Sequence, residues 1–181
     1  MINWPVEFLE LVSLQQEKER ESQGVSPSSF FAAKAAPEQI TDAEAVLAIT
    51  LDQEHREFLL HSDGWVGFSA DIDLFSTQDF LGSKKFATAK ERVTLMDRGV
   101  LGIYASSRND LFPIGMSSSS SDLLLMVNDK TGKIQAKVIW FANELIEEFN
   151  SFEQMFITFK AYHHKAIEYW RGRNNPTPQV K

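Results

Sequence analysis

Phe152, Phe156, Phe159, His163, Ile167 and Trp170 recur at helical spacing and make a near-continuous stripe along the last clear element of the chain. Ser151 stands where an N-cap belongs. Gln154, three residues on, completes a capping-box pattern. A helix with one apolar side needs a second layer to cover it. What lies upstream therefore decides the fold.

Helical signals come first. Asn3 can cap a helix with Pro5 in its first turn. Trp4, Phe8, Leu11, Val12 and Gln15 follow at helical spacing, and the charge run from Glu17 to Glu21 reads as a solvated end. The turn residues of 23–29 mark a loop. A second helix covers 37–48, with Ile40, Ala43 and Leu47 inward. Asp52 can cap a third, from Gln53 to Ser62, with Phe58, Leu59 and His55 inward. Gly64 ends it at a position suited to positive φ.

Short strands follow. They are expected at 65–68, 72–75, 100–105, 111–114, 123–127 and 134–141, with a surface helix from Lys84 to Arg92. Asn128-Asp129-Lys130-Thr131-Gly132 is a hairpin signal. In 134–141 either Ile134, Ala136, Val138 and Trp140 share one face, or the run Val138 to Phe141 is fully buried. Helices cluster instead of alternating with strands. The expected fold is therefore α+β: a mostly antiparallel mixed sheet of about five to six strands, flanked by N-terminal helices and a long C-terminal helix. It is not the βαβ alternation of a nucleotide-binding fold. The 181 residues favour one domain over 1–181, with a frayed tail at 172–181.

No apolar run approaches a membrane span, and no basic, apolar leader opens the chain. Cysteine is absent, which removes disulfides, thiol catalysis and zinc–thiolate sites and suits a cytoplasmic protein. A pI near 5.1 argues against general nucleic-acid binding.

The sequence contains no nucleophile elbow, phosphate-binding loop or dinucleotide fingerprint. His55 and His61 lie on different faces of the third helix. His163 and His164 are helix neighbours about 100° apart, so one packs and one is solvated. Ser117 to Ser121 reads as a polar loop. Asp71 and Asp73, with Asp79 nearby, are the best metal candidates, since strand residues two apart face one side. Ser76 stands where a calcium loop of the EF-hand type needs Gly, and the ordinary reading of these acids is a wet strand edge.

Charge is distributed unevenly. From Glu38 to Asp79 there are ten carboxylates and one Arg, a local charge of -9 in a chain of net charge -7. Trp65, beside Asp63 and after the helix-ending Gly64, is the aromatic most suited to a half-exposed anchor; the alternative is a buried core ring. An acidic surface attracts a basic partner and repels anionic substrates.

Glu44, Leu47-Ala48, Leu51-Asp52, His55, Phe58 and Asp63-Gly64 resemble the recurring pattern of the SUKH superfamily, the Smi–Knr-like proteins. Ala48 stands for the family's Gly, Asp52 for Pro, His55 for Tyr and Asp63 for Asn. The turn at Gly132-Lys133-Ile134, the strand at Val138 to Phe141 and the helix start at Ser151 to Phe156 also look like the family's C-terminal half. The resemblance covers about 37–75 and 123–160. It implies an α+β binding domain. Many bacterial members are immunity proteins that block a secreted toxin, often a nuclease, and others are adaptor-like regulators.

The expected function is therefore non-catalytic: neutralisation of a cognate basic protein toxin through an acidic surface made of Glu54, Glu57, Asp63, Trp65, Asp71, Asp73 and Asp79. No cofactor, metal, membrane or direct nucleic-acid contact is expected, and the chain would be a monomer or weak homodimer. The alternative is an adaptor module of the same superfamily.

Overall fold

The computed structural model describes residues 2–25, 29–129 and 131–174. Seven strands form one sheet in chain order, each antiparallel to the next: β1 Phe30–Phe31, β2 Trp65–Ser69, β3 Ile72–Leu74, β4 Leu111–Ser117, β5 Leu123–Asn128, β6 Ile134–Phe141 and β7 Leu145–Phe149. Helices α1 Trp4–Glu21, α2 Pro37–Leu47 and α3 Gln53–Leu59 precede most of the sheet. Helices α4 Thr77–Phe80, α5 Lys84–Leu95 and α6 Arg98–Tyr104 fill the connection from β3 to β4, and α7 Phe152–Asn174 closes the chain. This is the expected α+β class, with one strand more than expected.

Two differences in the strands have physical causes. The stretch 100–105 is not a strand; it lies in and just after α6. Asp97 Oδ1 accepts the amide of Gly99 at 2.7 Å, which favours a helical start, and Ile103 points to solvent instead of joining the sheet. The edges β1 and β7 are short and largely exposed, so they carry little of the apolar alternation by which a strand is recognised. In β6 the ladder shifts register opposite Met126 to Asn128. Ile134, Val138, Ile139 and Phe141 are buried while Ala136 is exposed and Trp140 half-buried, so the single-face pattern fails and the buried run holds except at Trp140.

The core is aromatic. Phe156 of α7 stacks on Phe8 of α1 and meets the ring of Trp4 edge-on, with centroids 5.8 and 5.2 Å apart. Phe58 of α3 and Phe68 of β2 close on the same ring. Such edge and offset contacts each add about 0.5–1.5 kcal/mol to the area term. The stripe on α7 therefore docks on α1 and on the sheet together. Buried positions on α7 are Phe152, Met155, Phe156, Phe159, His163 and Ile167. The helix reaches Asn174, so the first part of the expected tail is ordered helix; 175–181 lie outside the described residues.

α1 also runs further than its apolar pattern, to Glu21, and Lys18 inside the supposed solvated run is buried. Burial pulls its ammonium below the ordinary lysine value. Helix ends follow their caps. Asn3 Oδ1 accepts from Val6, Asp52 Oδ1 from Glu54 and His55, and Ser83 Oγ from Phe86. Gly64 sits at φ 89°, and a Cβ there would meet the Leu74 oxygen at 3.0 Å, so α3 can hand over to β2 only through glycine.

Candidate partner-binding surface

Seven of the ten acids between 38 and 79 are built into the fold. Asp52 caps α3. Asp63 takes both groups of Thr77 at the start of α4, the amide at 2.6 Å and the hydroxyl at 2.9 Å. Asp79 closes the capping box with Ser76. Glu54 Oε2 accepts the amide of Glu153 in the first turn of α7 at 2.8 Å. Glu44 accepts the amide of Leu51 at 2.9 Å and lies 3.8 Å from Arg56. Asp73 accepts from the Gly67 amide and the Lys85 ammonium, both at 2.7 Å. Asp71 accepts from the hydroxyls of Ser117 and Ser119 and from the Ser119 amide.

These bonds explain the charge states. At Asp71, burial raises the pKa, but the serine donors outweigh it and hold the carboxyl below the usual range. At Asp52, burial prevails over the amide bonds and pushes the carboxyl up. Asp71 and Asp73 take different partners, and among the described residues no group of three or more His, Cys, Asp or Glu could hold a metal ion. Glu38, Asp42 and Glu57 remain as acids of this region without an internal partner among the described residues; the first two are exposed on α2 and the third is half-buried on α3.

Trp65 is not a surface anchor. It is 1% exposed, ringed by Phe8, Phe31, Phe68 and Phe156, and its Nε1 donates to Ser29 Oγ at 2.9 Å. The start of β2, which pairs with both β1 and β3, turns this side chain inward. Exposed aromatics nearby are its neighbours on the edge strand, Phe30 at 58% and Phe31 at 44%, with Val66 opposite Phe30. Sequence reasoning missed them because two adjacent Phe fit neither helical nor strand periodicity. The available signal was that tandem pair just after the turn-rich 23–29 loop.

The chain after β1 runs beside the end of α3. Ala35 donates to Leu59 O, Asp63 to Ala33 O, and Ala32 to Gly64 O. This ties the chain leaving the exposed Phe pair to the segment that carries Glu57 and His61. Those two side chains line an open groove of about 370 Å³ with Ile2, Asn3, Trp4 and Pro5. His61 Nδ1 lies 2.9 Å from the Glu57 carbonyl oxygen, which fixes the ring at the groove wall. The β1 edge thus carries two exposed rings, and the chain leaving it runs beside the end of α3.

Two of the remaining histidines are structural. His55 stacks on Phe152 at 4.9 Å and is pushed down to about 3 by burial. His163 Nε2 lies 3.0 Å from the Phe68 carbonyl and is pushed down to about 4 by burial and by the nearby Lys18 charge. His164 is exposed, as expected for the second of a helical pair. No helix among the described residues is long and apolar enough to cross a membrane.

Comparison with known proteins adds one match. A sequence model of the SMI1 / KNR4 family (SUKH-1) matches residues 34–158, more than two-thirds of the chain, from just before α2 into α7. No curated protein matches.

Proposed function

The chain belongs to the SMI1 / KNR4 family (SUKH-1), and from that membership we propose that it is a non-catalytic immunity protein that neutralises a basic protein toxin. The observation that carries the reading is the juxtaposition at the β1 edge. Phe30 and Phe31 are exposed on β1, which pairs with the start of β2 inside the 38–79 stretch of local charge -9. Apolar rings in solvent supply affinity once a partner covers them, while the acids supply the approach. Carboxylates already committed to caps still contribute to the field, but they cannot turn to a ligand without breaking the fold. The proposed contact set is therefore Phe30, Phe31, Val66 and Glu57, steered by Glu38 and Asp42. Asp63, Asp71, Asp73, Asp79 and Glu54 contribute charge at a distance.

The test is co-expression with a candidate toxin domain from a neighbouring gene, followed by binding of the purified pair at about 50 and about 300 mM salt. Rescue of growth is expected, with association slowed by salt. Phe30→Ser, at an exposed position, is expected to weaken binding by about tenfold or more. Failure to rescue, or rescue untouched by Phe30→Ser and by salt, would count against the reading.

A further inference from the structure

A second recess lies between α5 and β4, closed on one side by Leu47 and Ile49 at the end of α2. It has a volume of about 230 Å³. Its walls are Phe86 and Val93 of α5 and Leu111 and Phe112 of β4. Two cations line it, Lys90 and Arg108, and no carboxylate does. That is unusual in a chain of net charge -7. Lys90 Nζ rests 4.8 Å over the Phe86 ring.

Two polar atoms of lining residues are orphaned. Arg108 Nε and Asn128 Oδ1 are buried and have no hydrogen-bond partner among the described residues. Arg108 Nη2 donates to the Met96 carbonyl at 3.1 Å, which holds the guanidinium in place and leaves Nε undirected. A buried donor and a buried acceptor each cost free energy when unpaired, and a ligand that satisfies both recovers that cost.

A ligand that matches this lining carries a negatively charged acceptor, an adjacent N–H and an apolar side chain. We propose that the recess binds the carboxyl-terminal end of an apolar amino-acid residue. The carboxylate meets Arg108 and Lys90, the amide N–H donates to Asn128 Oδ1, and the side chain fills the wall of Phe86, Val93, Leu111 and Phe112. The volume suits one such residue and is below that of a drug-sized pocket. The same chemistry has two sources, a free N-acylated amino acid or the C-terminus of a polypeptide.

The test is titration of the isotope-labelled full chain, followed by amide NMR. The probes are N-acetyl-phenylalanine, an acetylated tripeptide ending in phenylalanine, and the C-terminal amide of that tripeptide. Saturable shifts confined to α5, β4 and Asn128 are expected with both acids, and at least about tenfold weaker binding with the amide, which lacks the charge. Equal affinity of the two acids assigns the free molecule; about tenfold tighter binding of the tripeptide assigns a polypeptide end. Arg108→Gln is expected to weaken the acids by about tenfold. Thr94→Trp, at an exposed rim position, is expected to abolish binding with an unchanged melting curve. Equal binding of acid and amide, shifts elsewhere on the surface, or no saturation below about 5 mM would overturn the proposal.

Discussion

Gly132 lies against the backbone of Ala48: a Cβ at 132 would stand 2.9 Å from the Ala48 carbonyl oxygen. The contact fastens the α2–α3 link to the β5–β6 hairpin. Thr50 donates to Gly132 O at 2.8 Å, and Ile134 donates to Thr50 O at 2.9 Å. Ala48 itself is left-handed, at φ 54° and ψ 45°, because its amide must turn back to Ala45 O and Glu44 O to close α2. An alanine therefore occupies a backbone state that glycine adopts without strain.

Ala48→Gly is expected to stabilise the protein. A left-handed L-residue costs roughly 1–2 kcal/mol, and the added chain entropy of glycine returns roughly 0.5–1 kcal/mol of that to the unfolded state. The net gain is about 0.5–1 kcal/mol, or a rise of about 2 °C in Tm for a chain of this size. Gly132→Ala is expected to do the opposite, losing about 2 kcal/mol or more, because positive φ and a backbone clash coincide there. Thermal and urea melts of the two variants check both signs.

The acids of the 38–79 region are expected to divide cleanly by stability. Asp63→Ala strands the buried Thr77 amide and hydroxyl and is expected to cost about 2–3 kcal/mol. Glu54→Ala removes the acceptor at the start of α7 and is expected to cost about 1–2 kcal/mol. Glu38→Ala, at an exposed position, is expected to stay within about 0.5 kcal/mol of the parent. Urea midpoints at fixed pH measure all three.

That division explains how much of the molecule could be read in advance. Helices α1, α2, α3 and α7 were legible because Asn3, Pro37, Asp52 and Ser151 mark their starts and apolar spacing marks their faces. The hairpin at 128–132 was legible from its turn residues. The surface was less so. A carboxylate that caps a helix 14 residues away, as Asp63 caps α4, is indistinguishable in sequence from a solvated one. Trp65 carried the same ambiguity, and its inward direction was set by pairing with β1, a strand too short to announce itself. The recess at Arg108 is invisible in sequence because α2, α5, β4 and β5 meet there only after folding.

Acid is expected to destabilise the fold through its buried histidines. Buried His55 and His163 are pushed down to about 3 and about 4, against an ordinary value of 6.5. Below pH 6.5 the unfolded chain takes up these protons and the native state does not, so lowering the pH favours unfolding. Stability is therefore full above about pH 7 and falls through the window from 6.5 towards 4, by about 1.4 kcal/mol per pH unit for each histidine. His163→Gln, which can still donate to the Phe68 carbonyl, is expected to halve that slope. Urea midpoints at pH 7, 6 and 5 provide the measurement.

Binding of the proposed partner is expected to separate into approach and grip. Glu38 and Asp42 are exposed and make no capping hydrogen bond of their own among the described residues, although Glu38 lies in the first turn of α2. Reversing them, Glu38→Lys with Asp42→Lys, changes the local charge from -9 to -5 without touching the core. Steering responds to that field, so association is expected to slow by about tenfold at low salt and much less at high salt, with dissociation nearly unchanged. Phe30→Ser removes apolar cover at the strand edge, and its effect is expected in the dissociation rate, since contact losses within one interface act mainly there. Stopped-flow association and surface-based dissociation on the same variants tell the two apart. If charge reversal leaves the association rate untouched while Phe30→Ser abolishes binding, the partner is held by the apolar edge alone and the acid excess serves only the caps.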